Sequence, residues 1–177
     1  MKMFIILSIM QLISSISYAK EITLEDLSFS NQDLSTSTLL QDLQTKRAGM
    51  LETHQNLGYL TAALLTATMI TGKEGDVTNT HKYLGITAGL SYYATAYYAI
   101  NAPEVEGATK SGSSLWHKRL AWIHGPLMIL APALGVIAER QLNKGEDIHG
   151  IAKLHKPLAA VAFYSFLSSL AVITFDF

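Results

Sequence analysis

The chain has 177 residues, of which 49% are hydrophobic and 15% charged, with a net charge of -1 and no cysteine. A soluble domain averages about 25% charged residues, so this balance points to a membrane protein, and the absence of a basic excess speaks against a nucleic-acid partner. Without cysteine there are no disulfides, iron–sulfur clusters, thiolate zinc sites or C-x-x-C-H haem attachments, which leaves six histidines as the main candidates for chemistry.

Residues 1–19 read as a signal peptide. Lys2 gives a positive start, Met3 to Ile13 form an apolar core, and Ser17-Tyr18-Ala19 is a small-x-small cleavage site. Residues 20–48 form an extracytoplasmic polar segment without a site. Glu21, Glu25 and Asp26 precede a Ser/Thr-rich stretch, and Leu39, Leu40 and Leu43 suggest a short amphipathic helix leading onward. Residues 49–177 then hold four long apolar segments, Leu51–Thr71, His81–Asn101, Leu115–Ala138 and Leu154–Phe175. Each is long enough to cross ~30 Å of hydrocarbon at ~1.5 Å per residue. Charged or glycine-rich knots separate them, and Pro103 closes the second. Period-2 alternation is missing, so the expected fold class is all-α: a membrane four-helix bundle behind a signal peptide and a short polar segment.

Cleavage at Ala19 would put the N- and C-termini outside the cytoplasm, in a bacterial inner membrane or a thylakoid-type membrane. Lys and Arg divide evenly between the two sides, so the positive-inside rule does not decide orientation.

Histidine recurs in a pattern. His54 and His81 each begin H-x-x-L-G, ending in Gly58 and Gly85, while His124 and His155 each begin H-x-P-L. One falls in each apolar segment. With alternating helix direction, His54 and His124 lie toward the outer side, and His81 and His155 toward the inner side. Two imidazoles facing each other at one depth are what a low-spin haem b requires, one on each face of the iron. The expected pairs are therefore His54/His124 and His81/His155, roughly 20–25 Å apart by helix rise. Gly58 and Gly85, one turn after their histidines on the same face, would leave room for a flat macrocycle. His117 is the rival outer ligand, since it lies seven residues before His124 on the same face. The H-x-P-L echo favours His124, and depth alone does not decide. His149 sits in a polar loop with Glu146 and Asp147 and reads as solvated.

One patterned histidine in each of four consecutive membrane helices, first with third and second with fourth, resembles the four-helix core of the cytochrome b561 family over about residues 50–175. The resemblance implies two b haems with His54, His124, His81 and His155 as axial ligands to the haem iron. It also implies transmembrane electron transfer between a donor and an acceptor, small molecules or proteins, on opposite sides. An oxidoreductase activity would follow, alone or as a reductase subunit; a homodimer or a larger complex fits equally. The chain departs from the family's usual form in having only the four core helices and a cleaved-looking signal. The resemblance leaves the family's ascorbate-binding basic residues unassigned on this chain; Lys82, Lys153 and Lys156 at the inner mouth and Lys118 and Arg119 at the outer read as snorkelling anchors. Two other readings stand beside this one: a non-haem metal-binding or transport protein, and a haem-free membrane scaffold.

Intact-mass measurement of the membrane-extracted protein should return a chain that begins at Lys20. A mass retaining Met1 would turn the first 19 residues into a further span and reverse the side of every loop.

Overall fold

The computed structural model describes residues 38–72, 78–105 and 112–175. The expected signal peptide and most of the polar segment lie outside these residues. Four helices follow in order: α1 Thr38–Thr71, α2 Asn79–Ile100, α3 Gly112–Asn143 and α4 His155–Phe175, the last entered through a 3₁₀ turn at Gly150–Leu154. There is no strand among the described residues, so the all-α class holds. Two helices are longer than the sequence pattern suggests. α1 starts at Thr38 instead of Leu51, and α3 runs on to Asn143, five residues past Ala138.

Local chemistry fixes the ends. Thr78 caps α2, its hydroxyl accepting from the His81 backbone N–H at 3.2 Å. Asn101 closes the other end, with backbone and side-chain donors both on the Tyr97 carbonyl. α3 ends in a Schellman turn. Gly145 takes φ +75°, Glu146 N–H returns to the Gln141 carbonyl and Gly145 N–H to that of Leu142. The Gln141 side chain then holds the His149 backbone, whose residue is exposed as expected of that loop. Pro157 falls in the first turn of α4, where a missing donor costs nothing, whereas Pro126 and Pro132 lie within α3.

α1 packs closely on α2, and α3 on α4, giving two helical hairpins; between the hairpins contacts are sparse. The main shared core is a small cluster of Tyr92, Met128, Ala162 and Phe166, flanked by Ala62, Leu65, Leu127 and Leu167. Every helix contributes to it. One ion pair, Lys82 Nζ to Glu139 Oε1 at 2.7 Å, also joins α2 to α3.

Side-chain size is distributed inside-out relative to a water-soluble protein. Thr61, Ala88, Thr95, Ala131, Ala162 and Ser169 are buried, while Trp122 is 82% and Ile100 80% exposed. Small residues at helix contacts and large apolar ones outside are what lipid-facing helices require. α3 and the segment Gly150–Phe175 are long and apolar enough to cross a membrane. α1 and α2 fall short of that apolarity, so the expectation of four spans holds for two. His54, Gln55 and Asn56 on α1, the tyrosines of α2 and the threonines of both lower it. Thr61, Thr66, Thr68 and Thr71 on α1, and Thr87 and Thr95 on α2, all donate to the carbonyl four residues back at 2.8–2.9 Å. A hydroxyl so bonded needs no water, although a hydropathy sum still counts it as polar.

Thr61 is fully buried and reaches Ser91 Oγ at 2.8 Å and Thr95 Oγ1 at 3.2 Å, tying α1 to α2. Thr61→Val should lower stability by about 0.5–1.5 kcal/mol in detergent unfolding. Thr87→Val, exposed and bonded only within its own helix, should change it by less than about 0.5 kcal/mol.

Candidate functional site

Four histidines, one per helix, are anchored in the same way. His54 Nδ1 lies 2.9 Å from the Thr95 carbonyl, and His81 Nδ1 lies 2.9 Å from that of Thr68. In the second hairpin, His117 Nδ1 lies 3.1 Å from the Ser169 carbonyl and 2.8 Å from its hydroxyl. His155 Nδ1 lies 2.8 Å from the Ala131 carbonyl. Within each hairpin the bonds are reciprocal, each helix lending a histidine to the other's backbone. A carbonyl can only accept, so Nδ1 carries the proton. In the neutral ring Nε2 then carries the lone pair, and a donated Nδ1–H makes that nitrogen a stronger ligand.

The anchors reveal an internal repeat. Each histidine is followed fourteen residues later by a small residue whose carbonyl holds the partner helix's histidine: His54 by Thr68, His81 by Thr95, His117 by Ala131, and His155 by Ser169. Glycines repeat as well. Gly72 and Gly135 lie eighteen residues after His54 and His117, and a Cβ at either would meet the ring of His81 or His155, at 3.4 and 3.0 Å.

The rings then meet across the hairpins. His54 and His117 have centroids 5.9 Å apart and planes at 89°; His81 and His155 stand at 6.1 Å and 87°. The His81/His155 pairing is the one expected from the sequence. The outer pair is not: His54 faces His117, and His124 is held elsewhere. Its ring is 5% exposed, its Nδ1 lies 3.0 Å from the Tyr92 hydroxyl, and Phe166 packs against it at 5.3 Å. The H-x-P-L echo that favours His124 joins two prolines with unrelated roles, one opening α4 and one inside α3, so it carries no information on which ring faces His54.

Gly58 and Gly85 also have a different setting from the one expected. A Cβ at Gly58 would meet Thr95 Cγ2 at 3.9 Å, and one at Gly85 would meet Thr68 Cγ2 at 3.6 Å. Each thus faces the residue that anchors a histidine, and their smallness keeps α1 and α2 near enough for the reciprocal bonds. Gly85 and Gly89 also floor an apolar groove of about 200 Å³ between α2 and α3, walled by Leu90, Tyr93, Met128 and Pro132. Among the described residues no group of three or more His, Cys, Asp or Glu side chains gathers as a metal chelate. The arrangement is two pairs. Sequence reasoning missed Gly72, Gly135 and the four anchoring carbonyls; the available signal was the glycine eighteen residues after His54 and His117, since the residue fourteen after His124, Ala138, is small like Ala131.

Comparisons with protein-family models, with curated proteins and with solved structures returned no match.

Gly135→Ala should press on the His155 ring and weaken its bond to Ala131. In ¹⁵N-histidine NMR of the detergent-solubilised protein, the protected Nδ1–H signal of His155 should broaden or shift. Gly89→Ala, where a Cβ meets nothing within 4 Å, should leave the histidine signals in place.

Proposed function

We propose that this chain is an integral membrane electron carrier holding two b-type haems, one between His54 and His117 and one between His81 and His155. The observation that carries the reading is the pair of cross-hairpin ring separations, 5.9 and 6.1 Å, combined with four anchored Nδ1 atoms. A metal–imidazole bond of about 2.0–2.1 Å, with each ring centroid roughly 1.1 Å behind its nitrogen, gives two imidazoles on one ion a centroid separation of roughly 6 Å. Both pairs have that separation, and both join hairpins that otherwise touch sparsely. Such a gap suits a flat group that supplies its own four equatorial nitrogens.

Two imidazoles alone would be an incomplete sphere for zinc or non-haem iron, which favours the macrocycle over a bare ion. Bound haem supplies a reversible one-electron iron couple. The chain's residues supply the rest. The anchored imidazoles fix ring orientation and present lone pairs. Gly72 and Gly135 let the His81 and His155 rings approach α1 and α3 closely. The small buried residues around the anchors keep water from the gap.

The two levels are separated by the fourteen residues from each histidine to the next anchor, about 21 Å at ~1.5 Å per residue. That is a large part of a hydrocarbon core of ~30 Å. Electrons would therefore cross in two steps, from a donor on one side to an acceptor on the other. α3 and α4 supply the apolar length for such a crossing, and the back-bonded hydroxyls of α1 and α2 make these helices compatible with it.

A pyridine haemochrome assay on saturated protein should return two haems per chain. His117→Ala should reduce this to one, and His124→Ala should keep two at saturating haem. The near-perpendicular imidazole planes should give the ferric protein a strongly anisotropic low-spin electron paramagnetic resonance signal, because neither direction in the haem plane is then preferred. Loss of a haem from His124→Ala with both retained in His117→Ala would overturn the outer assignment.

A further inference from the structure

His124 stands apart from the four anchored histidines and has a claim of its own. Its Nε2 is the one buried side-chain nitrogen or oxygen without a hydrogen-bond partner among the described residues. Leaving such an atom dry costs about 1–3 kcal/mol, so a native orphan calls for an occupant. The surroundings are built to hold the ring still. Tyr92, itself 8% exposed, meets Nδ1 through its hydroxyl, and the Tyr92 and Phe166 rings stand edge-on at 5.5 and 5.3 Å. Gly125 makes space for this contact, since a Cβ there would lie 3.4 Å from the Tyr92 hydroxyl.

Position says what the ring addresses. His124 is seven residues after His117 and so shares its face of α3, two turns deeper. Helical side chains lean toward the N-terminus, which tips the imidazole back toward the level of His117. The equivalent position in the first hairpin, seven residues after His54, is Thr61, whose hydroxyl is fully satisfied by Leu57, Ser91 and Thr95. The repeat thus departs here from a closed packing contact to an imidazole with one nitrogen open. With the Tyr92 hydroxyl donating to Nδ1, the proton of neutral His124 sits on Nε2, which makes the open atom a donor.

We infer that His124 Nε2–H is a hydrogen-bonding site for a carboxylate oxygen of the group held between His54 and His117. The inference rests on the proposed haem reading, since a b haem carries two carboxylates. A carboxylate turned into this apolar interior needs a donor, and a charge-assisted bond is about twice as strong as a neutral one. His124 thereby acts as a positioning residue, fixing which edge of the macrocycle points inward.

The test is a cycle on the full-length chain in detergent, titrated with haem and with haem dimethyl ester, which has no carboxylate. Wild type and His124→Leu are compared, with Tyr92→Phe as a variant that keeps the aromatic packing and removes the hydroxyl. With haem, His124→Leu should weaken the outer site by about tenfold or more, and Tyr92→Phe by less. With the ester, wild type should already be weakened and His124→Leu should add no further loss. Equal losses with haem and ester would overturn the inference, whether through a bridging water or through packing alone. So would no loss with haem. Failure of wild type to bind either compound would instead refute the haem reading, so the two failures are distinguishable.

Discussion

The structure depends on one repeated bond, an imidazole Nδ1–H donated to a backbone carbonyl on the neighbouring helix of the same hairpin. It occurs four times, twice in each direction. A carbonyl already engaged in helix hydrogen bonding still has a second lone pair, so each anchor costs the helix nothing. A reciprocal pair of such bonds fixes the register of a hairpin at two levels. It also sets all four rings facing away from their own hairpin toward the other. Register, ring orientation and tautomer therefore follow from the same contacts, and the cross-hairpin ring separations are their consequence.

Those contacts explain why small residues occupy the positions they do. Gly58 and Gly85 lie against the Thr95 and Thr68 methyls, where a Cβ would already be in van der Waals contact, so the helices approach closely beside the anchors. Gly72 and Gly135 face the His81 and His155 rings directly. Thr61, Thr95 and Ser169 are buried and polar, yet each has its hydroxyl bonded, so they combine a small volume with a satisfied donor. Apart from Tyr92, Met128 and Phe166 in the core, the large apolar side chains are left partly or fully exposed. This division of labour makes sense where the outside is lipid, because packing between helices must then come from close approach instead of from the expulsion of water.

The helical class and the approximate bounds of α2 and α4 are legible in the sequence, because apolar length and the prolines at 103 and 157 are local signals. The inner histidine pair was legible too, since His81 and His155 both open their helices. The outer pair was not. Two histidines on one face of α3 satisfy the same periodicity, and only a neighbour on another helix distinguishes them. Tyr92 is that neighbour: it engages His124, while the Ser169 carbonyl engages His117. Nothing in the Pro-Leu echo reports on such contacts. The step of eighteen does, because Gly72 and Gly135 stand eighteen residues after His54 and His117 and each lies against a histidine ring of the partner helix, whereas Leu142 stands at that step from His124. A repeat set by a physical constraint thus outranks a repeat of residue letters.

The two hairpins are alike in their anchors and unlike in what lies between the levels. In the first, the midpoint is closed by Thr61 and its hydroxyl partners. In the second, it is occupied by His124, which crosses the gap to Tyr92 and packs on Phe166. Tyr92 and Phe166 are themselves repeat-equivalent, each eleven residues after the second histidine of its hairpin and three before the anchoring carbonyl. The cluster they form is the place where the hairpins meet most fully, and it lies between the two histidine pairs. The same side chains therefore hold the halves together and separate the two levels. Two histidine pairs divided by one packed partition is an arrangement that neither hairpin can make alone, and the ring of His124, with its orphaned nitrogen, packs on the Tyr92 and Phe166 rings of that partition.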